Sequence, residues 1–224
     1  MCDDVNNRGF LPGIFLNGET YLYQGRYSPV FFYICRKKGV LYMSDSLSTK
    51  KALADALKEQ LKIEPLDKIC IAEICDRCEL NRKSFYYHFE DKFDLINWIF
   101  DNEYLSEASK KTYTDHWESI NSLCRYLYLN KCFYKKAIKV NEHNSFTNHL
   151  KSIIKPLIKL RLEEAMKGNE VTKFQLNFYT DAFIFTIARW LLDPNLLPYD
   201  EFLEELKSCI YMTAAQTVKE FENT

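Results

Sequence analysis

The side chains best suited to chemistry in this sequence fall between Cys70 and Lys92, a segment dense in cysteines and hydrogen-bond donors. Cys75 and Cys78 form a Cys-x-x-Cys pair, the spacing that thiol exchange and zinc binding use. A structural zinc site needs four cysteine or histidine ligands, and the chain has no second Cys-x-x-Cys pair. We therefore expect these cysteines to be core residues, with no metal or other cofactor bound. Thiol-based sensing stays open as an alternative.

Donors of a second kind follow the cysteines along the chain. Arginine and lysine reach guanine edges, serine reaches several bases, and tyrosine and histidine donate hydrogen bonds to phosphates. A helix surface carrying such groups is suited to double-stranded DNA. The candidate DNA-contacting residues are Asn81, Arg82, Lys83, Ser84, Tyr86, Tyr87, His88 and Lys92.

Two short helices around a tight turn would position these donors. In the second helix, Phe85 and Phe89 lie one turn apart and must face the first helix. With both rings buried, helical geometry turns the donors outward or to the flanks. The sequence thus predicts a helix-turn-helix across residues 69–89. The inward face of its first helix would consist of Ile71, Ile74, Cys75 and Cys78.

The whole-chain composition indicates an all-α protein. Hydrophobic residues make up 47% and charged residues 27% of the 224 residues, which is ordinary for folded chains. Only six glycines and six prolines interrupt the sequence, so long helices with few breaks are expected. The net charge of −1 gives no electrostatic indication of a nucleic-acid partner. The DNA hypothesis therefore depends on the motif alone.

The start of the chain and its apolar runs indicate a cytoplasmic protein. Eight cysteines would suggest a disulfide framework in a short secreted chain, but no signal peptide with a basic start is visible. No run approaches the roughly 18 apolar residues of a membrane span. We expect a reducing compartment and no membrane contact.

Three regions follow one another. Residues 1–42 are rich in turn formers and aromatics without a helical period, so we expect a dispensable N-terminal extension or a misassigned start, Met43 being a plausible natural start. A small hairpin around Gly25 is the alternative. Residues 43–106 form the predicted helix-turn-helix head of three to four helices, its first helix capped by Ser48 or Thr49. Residues 107–224 form a longer helical body.

The head resembles the TetR family of transcriptional regulators. The resemblance rests on Ile-x-Ile-x-x-Ile from residue 69, Leu-Asn-Arg-Lys-Ser-Phe-Tyr-Tyr-His-Phe from residue 80, and Asp-Lys-Phe-Asp-Leu from residue 91. It implies that Lys83 or Ser84 meets bases, and that Tyr86, His88 and Lys92 contact phosphates.

Two positions depart from the pattern of that family. Cys70 stands where threonine or serine usually caps the first motif helix, and a thiol is a weaker acceptor. Glu79 stands where the turn often has glycine. If its φ is positive, glutamate costs about 1 kcal/mol there. Neither departure removes a DNA-contacting group.

The body resembles TetR-type regulators grouped with the dihydroxyacetone-kinase activator. The matching runs are Phe-Tyr-Lys-Lys-Ala from residue 133, Asn-Ser-Phe from 144 and Phe-Tyr-Thr-Asp-Ala-Phe from 178, with Trp190. The resemblance implies a homodimer formed through the last two long helices, residues 172–192 and 200–222, which would read a palindromic operator. Its interface residues would be Phe178, Phe185, Leu192, Leu203, Leu206 and Ile210.

The many aromatics of the body permit a ligand pocket between helices. A small-molecule effector there would shift the spacing of the two heads. A coactivator that docks a kinase-like protein partner is the alternative. Without a phosphate loop, nucleophile elbow or zinc-protease motif, an enzyme is not expected. The candidate pocket residues are Trp117, Tyr126, Phe133, Phe146 and Phe183.

Overall fold

The structure is a computed structural model that describes residues 15–16, 19–20, 44–113, 115–139, 145–166 and 170–222. Strands β1 (Phe15–Leu16) and β2 (Glu19–Thr20) pair antiparallel. The hairpin expected around Gly25 lies outside the described residues, as does most of the predicted extension, so both stay predictions. From residue 44 onward every described regular element is helical, which confirms the predicted all-α class.

The head contains four α-helices among the described residues. The first begins at Ser44, four residues before the expected cap at Ser48, so that prediction was wrong. No glycine or proline stands between these residues to stop the helix earlier. Leu53, Leu57 and Leu61 are buried, as their four-residue spacing predicts. The helices are α1 (Ser44–Ile63), α2 (Ile71–Arg77), α3 (Arg82–His88) and α4 (Lys92–Phe100).

The end of α4 leads without a loop into the body. A π-helical segment (Asp101–Leu105) and the short helix α5 (Ser106–Ala108) continue it. Along the body, α9 packs on α8, and α10 packs on α6. The body helices are α6 (His116–Leu129), α7 (Lys131–Ile138), α8 (Phe146–Ala165), α9 (Lys173–Leu192) and α10 (Tyr199–Glu222).

Polar side chains fix the starts of the motif helices. Asn81 Oδ1 accepts a hydrogen bond from Ser84 N at 2.8 Å, and Asp91 caps α4 in the same way. Each such cap satisfies a backbone N–H without a helical partner and contributes about 1 kcal/mol. At α2 the cap residue is Cys70, and Glu73 Oε2 accepts from Cys70 N at 2.9 Å. The glutamate thus supports a helix start whose thiol cap is weak.

The turn between α2 and α3 contains one left-handed residue. Glu79 has a φ of 55°, in the region that glycine adopts without steric cost. Leu80 N donates to Cys75 O at 3.0 Å and closes the turn. The positive φ suspected at this position is confirmed, and a residue with a Cβ loses about 1 kcal/mol there.

Replacing Glu79 with glycine is therefore expected to raise the free energy of unfolding by about 1 kcal/mol. The side chain is exposed, so its removal opens no cavity. Urea unfolding followed by circular dichroism measures the change. Glu79→Ala removes the same carboxylate but keeps the Cβ, and should gain little. Equal gains for both variants would assign the effect to charge instead of backbone strain.

Head and body share one continuous hydrophobic core. Polar contacts join them as well: Lys136 of α7 reaches the end of α1, where its Nζ donates to Leu61 O and, at 3.2 Å, to Glu64 O. Lys58 of α1 pairs with Glu103 in the π-helical segment. The body thus caps the first helix of the head. None of the described helices has the length and apolar content needed to cross a bilayer.

Candidate nucleic-acid interface

Helices α2 and α3 hold each other through apolar side chains. Phe85 of α3 and Ile74 and Cys75 of α2 are buried. Phe89, directly after α3, is buried too, and its ring centroid lies 5.8 Å from that of Phe85. The predicted inner side of the helix-turn-helix is confirmed. Burying this side fixes which residues of α3 point outward.

The opposite side of α3 is exposed and rich in donors. Tyr87 is 84% exposed and Tyr86 51%, so neither belongs to the core. Arg82 and Lys83 are exposed beside them. The Arg82 guanidinium hydrogen-bonds to the Tyr86 hydroxyl, and this bond raises the pKa of Arg82. The face therefore presents permanent positive charge next to hydroxyl donors, the combination that contacts phosphates and base edges.

Two of the candidate residues also organise the start of α3. Besides the backbone bond to Asn81 Oδ1, Ser84 Oγ donates to the same oxygen at 3.2 Å. Asn81 is thus the N-cap of α3, and Ser84 is tied to it. A contact of either residue with DNA stays a prediction.

His88 lies partly buried in the last turn of α3, its ring centroid 4.9 Å from that of Tyr87. Burial, and then the charge of Lys50, lower the pKa of His88, so the ring is neutral at pH 7. Lys50 belongs to α1, and its Nζ lies 5.5 Å from the centroid of Phe89. Lys50 adds a positive charge beside α3 that sequence reasoning missed, because only the tertiary fold brings α1 there.

Lys92 differs from the other candidates in its surroundings. It is the first residue of α4, and its ammonium donates to the carbonyls of Leu66, Asp67 and Ile69. The phosphate contact that the resemblance implies stays a prediction, and these three bonds oppose it.

The cysteine pair lies on the inner side of α2. Cys75 is buried, and Cys78 Sγ donates to Ile74 O at 3.2 Å. Burial raises the pKa of both thiols, whereas a thiol sensor needs a lowered one. In the part of the chain that the structure describes, no three His, Cys, Asp or Glu residues are grouped to hold a metal ion. Cys75 is thus a core residue, and Cys78 packs against the core.

A cleft of about 230 Å³ lies at the junction of head and body. Of the five predicted pocket residues, Tyr126 and Phe133 line it. The other three lie elsewhere: Trp117 and Phe146 are buried, and Phe183 packs partly buried against the core. The remaining walls come from α1, α4, the π-helical segment, α6 and α7.

An exposed apolar stripe runs along α9. Phe174, Phe178, Phe185 and Leu192 recur at multiples of the helical repeat and are 78%, 58%, 63% and 37% exposed. Ile210 on α10 is exposed as well. Contiguous apolar patches on a surface mark interaction sites. Four of the six predicted interface residues are thus available for a second chain.

Two predicted interface residues point into their own chain instead. Leu203 is 5% exposed and buried in the protomer, and Leu206 packs partly buried against the core. The place of Leu203 in a dimer interface stays a prediction, and its burial within the single chain opposes that prediction. The helical period of α10 identifies apolar positions, but it does not show which neighbour covers them.

Comparison with known proteins shows what the body is similar to. Residues 115–211 match the family model TetR_C_8, the transcriptional regulator C-terminal region. This match lies within the body and covers less than half of the chain. A curated TetR-like relative, the HTH-type dhaKLM operon transcriptional activator DhaS of Lactococcus lactis subsp. lactis (strain IL1403), is 27% identical over 104 residues. That match covers 46% of this chain and 56% of the relative, so it spans about half the relative's length.

Solved structures of several transcriptional regulators share the fold. The dihydroxyacetone kinase operon activator DhaS superposes with a TM-score of 0.51 at 21% identity, over 73% of this chain and 97% of that one. The TetR transcriptional regulator from Streptococcus agalactiae 2603V gives 0.58 at 18%, over 72% and 92%. NalD, the secondary repressor of the MexAB-OprM multidrug efflux pump in Pseudomonas aeruginosa, gives 0.53 at 17%, over 76% and 97%.

Proposed function

We propose that this protein is a TetR-type regulator of transcription that binds a palindromic operator as a homodimer, with α3 as the recognition helix. The observation that carries the proposal is the two-sided character of α3. Its inner side is closed by Phe85, while Arg82, Lys83 and Tyr87 are exposed together on its outer side. In a helix-turn-helix the second helix enters the major groove with such a face.

The apolar stripe of α9 supports the dimer. A second copy of the chain that packs its own α9 against this stripe would bury the four exposed side chains in a self-complementary interface. Two heads then meet two operator half-sites about one helical turn apart, which is the geometry of a palindrome.

Replacing Lys83 with alanine is expected to weaken operator binding by about 10- to 100-fold, because a base contact contributes about 1–3 kcal/mol. The probe is a labelled duplex enriched from a random pool by selection on the wild-type protein. Fluorescence anisotropy measures the affinity.

Lys62→Ala is the matched control for this measurement. Lys62 is an exposed lysine at the end of α1, paired with Glu59 and distant in sequence from α3. Its loss should leave the affinity within about twofold of wild type. If Lys83→Ala binds as tightly as this control, α3 is not the recognition helix.

The lowered pKa of His88 predicts opposite pH effects on folding and binding. Protonation is disfavoured in the fold, so this contribution to stability is complete above about pH 6.5 and is lost as pH falls through the folded pKa. A phosphate near the ring favours the protonated form instead. Operator affinity is therefore expected to rise as pH falls from about 7.5 to about 6. His88→Gln should remove that rise, and an unchanged rise would place His88 away from phosphate.

We further propose that the body regulates the head through the junction cleft. Its walls include Lys58 of α1 and Tyr126 of α6, which both bond to Glu103. A small-molecule effector there, or a protein partner that covers it, would contact head and body together. If the effector or partner binds one arrangement of the cleft walls more tightly than another, its binding changes the position of the head relative to the body.

A further inference from the structure

The ammonium of Lys92 is fully engaged within the head. Its Nζ lies 2.7 Å from Leu66 O, 2.9 Å from Ile69 O and 3.3 Å from Asp67 O. An ammonium has three N–H donors and no acceptor, so three carbonyls use its whole capacity. In this arrangement no N–H of Lys92 is left over for a phosphate.

The three carbonyls belong to the loop that joins α1 to α2. The side chains of Leu66 and Ile69 are buried beneath it, so the loop is anchored by its apolar side chains and by its backbone oxygens. Cys70, the N-cap residue of α2, follows directly. Lys92 is the first residue of α4. Its side chain therefore joins the start of α4 to the loop that leads into α2.

The charges around Lys92 oppose a phosphate contact. Glu90, Asp91 and Asp94 all lie within two residues of it, so residues 90–94 contain three carboxylates and one ammonium. Within this segment the carboxylates outnumber the ammonium, so residues 90–94 do not attract a phosphate by their own net charge. Lys83, in contrast, stands on a face with Arg82 beside it.

We propose that Lys92 is a positioning residue and not a phosphate contact: its ammonium holds the α1–α2 loop against α4 and so sets the place of α2 and α3 relative to the body. The inference rests on the proposed DNA binding. Since α4 continues through the π-helical segment into the body, Lys92 ties the α1–α2 loop to a helix that is continuous with the body.

The test uses the full-length protein, the selected duplex described above and the variant Lys92→Met, which keeps the length of the side chain and removes its donors. Operator affinity is measured over a range of salt concentrations, well below the melting temperature. Positioning predicts binding weaker by about tenfold at every salt concentration, since a charge-assisted hydrogen bond is lost, with the wild-type salt slope. It also predicts a melting temperature lower by about 5 °C or more.

Other outcomes contradict the proposal. A salt slope reduced by about 1 would show that Lys92 contacts phosphate. Unchanged affinity of the folded variant would reduce Lys92 to a purely structural role, and an unchanged melting temperature would show that the three bonds do not hold the loop. Lys83→Ala serves as the control for a direct DNA contact, with an unchanged melting temperature.

Lys92→Arg keeps the proposal testable if Lys92→Met does not fold. Arginine retains the charge, so a phosphate contact predicts wild-type affinity and melting temperature. Its planar fork fits three carbonyls less well, so positioning predicts intermediate values. If the wild type selects no duplex at all, the proposed function fails on its own. Amide exchange at Ile74, whose N–H donates to Cys70 O, then still shows whether Lys92 holds the start of α2.

Discussion

Replacing Phe185 with glutamate is expected to convert the protein from dimers to monomers. Phe185 is 63% exposed in the single chain and lies in the middle of the α9 stripe, between Phe178 and Leu192. A carboxylate buried in an apolar seam without a partner costs several kcal/mol, which raises the dimer dissociation constant by more than about 100-fold. Sedimentation equilibrium measures that constant directly. Operator affinity should fall with it, because a monomer engages one half-site.

Ile63→Glu makes the same chemical change outside the stripe. Ile63 is 75% exposed at the end of α1. This control should dimerise as the wild type does. A Phe185→Glu protein that remains dimeric with a wild-type constant would move the interface away from α9. Leu206 is less suitable for this test because it packs against the core of its own chain, so its replacement would also weaken the fold.

Truncating Phe100 to alanine is expected to lower the free energy of unfolding by about 3–5 kcal/mol. Its side chain is completely buried at the end of α4, where head and body meet. The ring centroids of Tyr104 and Phe146 lie 5.1 and 5.2 Å away, and those of Tyr126 and Tyr134 lie 5.9 and 6.0 Å away. The cavity left behind would remove contacts with all four rings. Urea unfolding of the full chain gives the loss.

Two further variants define this effect. Phe100→Leu keeps much of the volume and should cost about 1–2 kcal/mol. Leu129→Ala, at a 67% exposed position of α6, should cost well under 1 kcal/mol. A Phe100→Ala protein as stable as Leu129→Ala would show that the aromatic cluster does not hold the junction together.

The helix-turn-helix could be predicted because its determinants are local. Phe85 and Phe89 are one turn apart, so burying them fixes the outer side of α3 without knowledge of the rest of the chain. The positive φ at Glu79 was suspected because the TetR family, which the head resembles, often has glycine at this turn position, which is also a local feature. These features depend on residues a few positions apart, which a sequence pattern records.

The features that could not be predicted depend on contacts between distant segments. Lys92 and Lys136 donate to backbone carbonyls 23 to 75 positions away, and a carbonyl leaves no trace in the residue type. Leu203 occupies a position whose apolar character suits a dimer interface and a protomer core equally well. The early start of α1 was missed because residues 44–48 are mostly serine and aspartate, a composition that is typical of an unstructured segment before a helix.

The capping of α1 by Lys136 limits where the head can be cut and joined to the body of another protein. A hybrid that joins residues 43–106 to a foreign body would keep every donor of α3, yet it would lose the lysine that ends α1 and the partners that cover Phe100. The helix-turn-helix head is thus not an independent unit that can be exchanged at residue 106, the boundary that its sequence motif suggests. Transplants that carry the chain through α7, to Ile138, are expected to retain operator specificity, whereas those cut at residue 106 should lose it together with their fold.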